Sequence, residues 1–294
     1  MARNVEWKDA GGIVHAAGGK PAARIVSLVP SLTETLCSVG GRDRVVGCTA
    51  FCIFPRGLLK DPAITIVGGT KTVQREKLLG LNPDLVLLNL EENTLEDIDF
   101  LKARVPCYIN GVRTLDEGIE TIRELGALIG RADIAEPLAN EAGRILTEIR
   151  SRVEDRRTRG GATPKIFYPI WREPWMSINS DTFIHDHLQT CGAENIFAAN
   201  KSRYPEVTLE QVSAAAPDIV WLPSEPYEFK EKHKAEFENL PALPAAQNNR
   251  IELVNGDNVC WFGARQIEGM EYTFARLWRQ SPSSGPLPLE VPRG

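Results

Sequence analysis

Glu76-Lys-Leu-Leu-Gly-Leu-Asn82-Pro83-Asp84-Leu-Val-Leu-Leu88 recurs in the second half of the chain as Glu210-Gln-Val-Ser-Ala-Ala-Ala216-Pro217-Asp218-Ile-Val-Trp-Leu222. Each copy places a glutamate seven positions before Pro-Asp and follows that turn with apolar residues. The first part of each copy predicts a short helix and the second a buried parallel strand, joined by a Pro-Asp turn. A helix–turn–strand unit repeated once at long range is too widely spaced for a solenoid. It predicts two similar α/β lobes, and the junction of two lobes is where small ligands usually bind.

Working outward, a strand over 24–29 is closed by Pro30, and Ser31 with Glu34 three residues on forms a capping box for a helix to Val39. Further strands are expected over 44–48, 85–88 and 107–109, alternating with helices near 75–79, 95–104 and 115–129. That alternation implies a parallel sheet covered on both faces. Ile134, Leu138, Ala142, Ile145, Ile149 and Val153 then recur at helical spacing. They predict one helix of roughly 35 Å at 1.5 Å per residue, which resists bending as no Gly/Ser linker would. The second lobe opens with a strand over 165–170 and a helix over 183–190, ended by Cys191-Gly192 as Val39-Gly40 ends its counterpart. After the second copy come a strand near 251–254 and a helix from about 268 to 278. The organisation is a lead-in over 1–23, an N-terminal lobe over 24–130, a bridging helix over 131–158, a C-terminal lobe over 159–280 and a disordered tail over 281–294. The fold class is α/β, two Rossmann-like lobes with parallel sheets bridged by one long rigid helix.

Bulk properties exclude several roles. The hydrophobic fraction of 43% and charged fraction of 25% are those of a globular protein. A formal net charge of −5 gives no surface for nucleic acid, and the basic cluster over 150–159 is interrupted by Glu154 and Asp155. No apolar run reaches the length of a membrane span, so no membrane insertion is expected. Met1 to Lys20 carries Glu6, Lys8 and Asp9 where a secretory signal would be apolar. That predicts a cytoplasmic chain as written, or a periplasmic one if a leader was removed. The six cysteines include no Cys-x-x-Cys pair and read as reduced, buried thiols. His185 and His187 lie two apart on a helix, facing different directions, so no metal site is assigned. There is no Gly-x-Ser-x-Gly elbow, Walker loop or Gly-x-Gly-x-x-Gly motif, and no catalytic residue is assigned.

Arg24-Ile-Val-Ser-Leu-Val-Pro-Ser-Leu-Thr-Glu34, Val67-Gly-Gly-Thr70, both repeat copies, Cys191-Gly-Ala-Glu-Asn-Ile-Phe197 and Trp261-Phe262 together carry a family resemblance. From about residue 20 to 280 the chain resembles the helical-backbone substrate-binding proteins that deliver vitamin B12, ferric siderophores and haem to ABC importers. The resemblance implies two lobes bridged by a helix, a ligand in the cleft between them, and little hinge closure. It also implies that one glutamate per lobe, here Glu76 and Glu210, docks on the arginines of a permease dimer. An acidic residue in a helix's first turn also favours the helix dipole, which is the plainer reading of each glutamate.

Cleft residues are expected on loops at the carboxyl ends of the strands. These are Phe51 and Cys52 after the second strand, Glu91, Glu92 and Asn93 after the repeat strand, and Trp171, Arg172, Trp175, Tyr204, Trp261, Phe262 and Arg265 in the second lobe. Flat aromatic walls with a few charges suit a planar, amphipathic ligand. The candidates are cobalamin or a ferric chelate, with no obligatory cofactor and a monomeric protein. The chain departs from the B12-binding pattern, with Thr70 in place of a cleft tryptophan and Cys260 in place of an aspartate. It is more similar to a leaderless, cobalamin-binding-like branch, whose Phe-Cys, Glu-Glu-Asn and Trp-Arg-x-Pro-Trp-Met segments it shares. Cys52, in an aromatic loop, is the thiol placed to ligate the metal of a chelate. The alternative is a cytosolic corrinoid or chelate binder, sensor or handling enzyme using Cys52 with Glu91 or Glu92.

Overall fold

The computed structural model describes residues 6–279; the tail expected over 281–294 lies outside them. The lead-in is a hairpin, β1 (Glu6–Lys8) with β2 (Val14–Ala16), antiparallel. Asp9 ties it down: its carboxylate accepts from Ile13 N at 2.8 Å, from His15 Nε2 at 3.0 Å and from Ile109 N at 2.9 Å. Ala10 N donates to Ile109 O at 3.0 Å. The hairpin thus covers backbone groups that an edge strand would otherwise expose.

The first lobe runs β3 (Ile25–Ser27), α1 (Pro30–Leu36), β4 (Val45–Cys48), β5 (Thr65–Ile66), a small hairpin β6 (Gly68–Gly69) and β7 (Thr72–Val73), α2 (Arg75–Gly80), β8 (Leu85–Asn89), α3 (Leu95–Lys102), β9 (Cys107–Asn110) and α4 (Leu115–Leu128). Its main sheet has the order β5-β4-β3-β8-β9, every pair parallel. Helix α5 (Ala132–Thr158) follows. The second lobe runs β10 (Lys165–Phe167), α6 (Phe183–Thr190), β11 (Glu194–Asn195), α7 (Leu209–Ala215), β12 (Ile219–Pro223), α8 (Glu231–Glu238), α9 (Pro244–Gln247), β13 (Ile251–Val254), α10 (Asp257–Cys260) and α11 (Arg265–Leu277). Its sheet, β11-β10-β12-β13, is also parallel throughout. The repeat strands β8 and β12 are buried along their whole length, as strands covered on both faces must be.

The repeated Pro-Asp has a structural job in each lobe. Asp84 N donates to Arg24 O at 2.9 Å, and the Asp84 carboxylate accepts from Arg24 N at 2.8 Å and Ala23 N at 2.9 Å. In the second lobe Asp218 N donates to Lys165 O at 2.8 Å, and its carboxylate accepts from Lys165 N at 2.8 Å. Each aspartate therefore fixes the start of its lobe's first strand against the repeat strand.

Helix α5 packs on both lobes. Its N-terminal half presents Ala135, Ala139 and Ala142, small enough for close approach to α4, where a Cβ on Gly126 would lie 2.2 Å from that of Ala135. Its C-terminal half presents Ile149 and Val153 to the second lobe, and Arg152 lies over the Phe274 ring at 4.0 Å. The two helix-ending glycines both abut α5. Gly40 has φ +85°, and a Cβ there would meet Ile134 at 3.0 Å; Gly192 has φ +100°, and a Cβ there would meet Trp278 at 2.6 Å and Val153 at 3.2 Å. Both positions need left-handed backbone and an open face.

Two local expectations are corrected. Helix α1 begins at Pro30 with Val29 as N-cap and no side-chain cap. Proline at the first helical position loses no hydrogen bond. Ser31 is instead buried with its hydroxyl unpartnered, and Glu34 turns to Arg265 rather than back to the helix end. Strand β10 stops at Phe167, so Tyr168 already belongs to the edge of the sheet.

Candidate functional site

The carboxyl ends of the two sheets meet through polar side chains. Asn89, last residue of β8, turns the chain back: its Oδ1 accepts from Glu91 N at 2.7 Å and Glu92 N at 3.2 Å. Asn93 locks the loop below, accepting from Asn89 N at 2.9 Å and donating to Thr70 O at 3.0 Å and Leu28 O at 3.3 Å. Asn93 is buried, so it is a clamp under the site and not part of the wall expected from its sequence position. So held, Glu91 reaches the other lobe, where it pairs with Arg203 and accepts from Tyr204 Oη at 2.5 Å. A second crossing joins Arg265 Nε to Glu34 Oε2 at 3.0 Å, and a third joins Arg113 to Asp181 at 3.0 Å. Arg203, Arg113 and Asp181 were not singled out in the sequence, and Glu34 only as a capping residue, because each is an ordinary charged residue until its partner is known.

The apolar residues divide into wall and core. Phe51 and Ile53, after β4, are 57% and 49% exposed; Trp171, after β10, is 46% exposed and lies edge-on to Tyr227 with ring centroids 5.3 Å apart. Trp175 turns away, stacking on Phe229 at 5.7 Å and packing against Phe167 and Phe237 in the second lobe's core. Trp261 and Phe262 are buried, the first edge-on to Phe54 and the second to Phe183. Arg172 is held by Glu236, Nε to Oε1 2.8 Å, and by Glu173. Arg265 covers the Phe54 ring at 4.2 Å. Cys52 is fully buried beneath its loop, with Thr33 Oγ1 at 3.0 Å and Thr49 Oγ1 at 3.2 Å from its sulfur. It does not line the wall.

What remains on the floor is acidic. Glu92 keeps some solvent contact but is crowded by protein, and desolvation, followed by repulsion from Glu225, Cys52 and Glu91, pushes its carboxyl up to about 8. Desolvation, then Asp257, pushes Glu225 up to about 7, and desolvation also raises Asp257. Tyr168 is fully buried beside them, its hydroxyl without a hydrogen-bond partner and its pKa raised by burial. His187, buried in α6, is occupied by Val259 O at 3.1 Å. Among the described residues no three His, Cys, Asp or Glu side chains are arranged to hold a metal ion, and no helix is long and apolar enough to cross a membrane.

Glu76 and Glu210 are both exposed and both second in their helices, α2 and α7. In a parallel α/β unit the helix runs against its strands, so these first turns lie toward the same sheet edge as the cleft. A surface depression of about 680 Å³ beside Glu76, lined also by Arg75, Asp97 and Phe100, lies on the first lobe alone and not between the lobes.

The arrangement has solved counterparts. The periplasmic vitamin B12 binding protein of Vibrio cholerae superposes with a TM-score of 0.76 at 24% identity, over 87% of this chain and 97% of that one. A periplasmic heme binding protein from Pseudomonas aeruginosa gives 0.77 at 21% identity, over 91% and 95%. In sequence, the vitamin B12-binding protein of Vibrio campbellii is 27% identical over 246 residues, 81% of this chain and 82% of the relative. Residues 25–255, spanning both sheets and the helix between them, match the profile of the periplasmic binding proteins, and the chain belongs to that family.

Proposed function

We propose that this protein binds a corrinoid, or a metal chelate of similar size and flatness, between its lobes and presents it to an ABC-type importer. The observation that carries the reading is the set of large apolar side chains, Phe51, Ile53 and Trp171, left exposed at the carboxyl ends of both sheets. Isolated exposed apolar residues are ordinary, but aromatics on facing loops of a two-lobed fold suit a flat ligand. The vitamin B12-binding relatives support the corrinoid. The matched positions of Glu76 and Glu210, exposed and unpaired among the described residues, support docking on a symmetric permease pair. The site of action proposed is outside the cytoplasmic membrane, as for the proteins named periplasmic above.

A handling enzyme built on Cys52 with Glu91 or Glu92 finds no support in the geometry. Cys52 is enclosed, and Glu91 is already engaged by Arg203 and Tyr204. Titration of the purified chain with cyanocobalamin, followed by absorbance and calorimetry, tests the binding. Saturable one-to-one binding, weakened in Phe51→Ala and Trp171→Ala, is expected. No binding of cyanocobalamin or of any ferric chelate at about 100 μM, an affinity weaker than about −5.5 kcal/mol, would overturn it. Glu76→Ala with Glu210→Ala should leave that affinity unchanged while abolishing association with the cognate permease in detergent.

A further inference from the structure

The charge of the cleft floor is unbalanced. Each arginine that reaches it has a carboxylate of its own: Arg203 pairs with Glu91, and Arg265 with Glu34. Lys71 donates to a main-chain carbonyl, that of Glu91 at 2.5 Å, and keeps its charge. Glu92, Glu225 and Asp257 are left with no ion pair among the described residues. Their placement follows from the sheets. Glu92 stands just past the end of β8 in the first lobe, while Tyr168, Glu225 and Asp257 follow β10, β12 and β13, three adjacent strands of the second. Gly256 lets the last two loops touch, since a Cβ there would lie 2.5 Å from Glu225 N and 2.7 Å from Glu225 O. Tyr168, just past the end of the neighbouring β10, is fully buried with its hydroxyl unpartnered.

A buried hydroxyl without a partner is costly, and so is a carboxyl taken from water without a cation. Three such carboxyls and one such hydroxyl at the meeting edges of two lobes are satisfied together by a ligand that brings hydrogen-bond donors. We infer that Glu92, Glu225, Asp257 and Tyr168 select a neutral or cationic ligand whose rim carries N–H donors, amide or ammonium, and reject chelates bearing free carboxylates or phenolates. The inference rests on the chelate-binding reading above and narrows it. Where these carboxyls are ionised, an anionic rim would meet more like charge than Lys71, which no carboxylate holds, can offset.

Calorimetric titration of the full chain with four probes, at low salt and at about pH 9, where Glu92 and Glu225 are ionised, tests this. Cyanocobalamin is neutral and amide-rimmed, ferrioxamine B is cationic, and ferric citrate and haemin carry carboxylates. At least one of the first two should bind about tenfold or more tighter than either anionic probe. The Glu92→Gln/Glu225→Gln double variant, near-isosteric with the native chain, should shrink that ratio by letting anionic probes in, and Tyr168→Phe should weaken the amide-rimmed probe without admitting haemin. Ligand-free melting at pH 5, where the native carboxyls are protonated, checks that the variants fold. Haemin or ferric citrate binding as tightly as the others, or a ratio unchanged in the double variant, overturns the inference and leaves chelate binding standing. If none of the four binds, the functional reading falls and the inference falls with it.

Discussion

Replacing Glu92 by glutamine should make the ligand-free protein more stable, by an amount that grows from about pH 5 to pH 8 and then levels off. The Glu92 carboxyl is raised from 4.5 to about 8, first by desolvation and then by Glu225, Cys52 and Glu91. Below pH 4.5 folded and unfolded chains both hold the proton, and Glu92 contributes no difference. Between 4.5 and 8 the folded chain keeps a proton that the unfolded chain releases, so stability falls as pH rises, by at most about 1.4 kcal/mol per pH unit. Above 8 the loss levels off, with a ceiling of about 5 kcal/mol. Partial solvent contact and relaxation of the loop after β8 reduce this to about 2 kcal/mol. Glutamine keeps the shape and loses the titration. Glu92→Gln should therefore match the native chain near pH 5 and melt about 5 °C higher at pH 9. Calorimetric melting of both proteins from pH 5 to 9 reads the difference, which cancels every group the two share. A difference that stays flat with pH, or a variant less stable at pH 9, would mean that a cation compensates Glu92, and the account of an acidic floor would be wrong.

Gly192→Ala should cost about 2–3 kcal/mol, since it combines φ +100° with a contact 2.6 Å from Trp278. Gly143→Ala, in α5 with nothing within 4 Å of the new Cβ, should stabilise by about 0.5–1 kcal/mol; urea unfolding of both variants checks the contrast. Asp84→Ala and Asp218→Ala should each cost about 1–2 kcal/mol, and the double variant should show their sum, because the aspartates serve different lobes. Coupling well above 0.5 kcal/mol in that cycle would refute the claim that the duplicated turns act independently. Glu91→Gln should speed amide exchange over 200–204 while leaving the α5 amides protected, as measured by hydrogen exchange.

The repeat was legible because it is local. A Pro-Asp turn, a helix before it and an apolar strand after it are set by neighbouring residues, and the buried parallel strands β8 and β12 lie where the apolar runs stand. The long helix was legible for the same reason, through its spacing. The N-cap at Ser31 was misplaced because Pro30 can itself open a helix, so two start signals stood side by side. The site was half legible. Strand-end loops identify which residues approach the edge, which brought Phe51, Glu91, Trp171 and Tyr204 to it. They do not say which way a side chain turns. Trp175 and Trp171 flank one tight turn, yet one enters an aromatic core and the other stays in solvent. Cys52 and Asn93 turn inward because backbone carbonyls and hydroxyls there need partners. Ion pairs such as Glu91 with Arg203, more than a hundred residues apart, leave no local signal at all.

The same packing decides how a ligand enters. Opening the lobes about α5 would separate Ala135 from Gly126 at one end, a contact that excludes a single methyl group, or Val153 from Gly192 at the other, one that crowds it. Undoing either contact exposes apolar surface, at a cost of several kcal/mol. The bonds that cross the cleft are weaker. Arg203 and Glu91 remain partly in solvent, and such a pair with its tyrosine contributes about 1–3 kcal/mol. A ligand arriving from solvent therefore displaces the Glu91 bridge and the loops that carry it before it moves either sheet. The loop freed first, after β8, is also the one that holds Glu92, so the step that opens the cleft hydrates its most strained carboxyl.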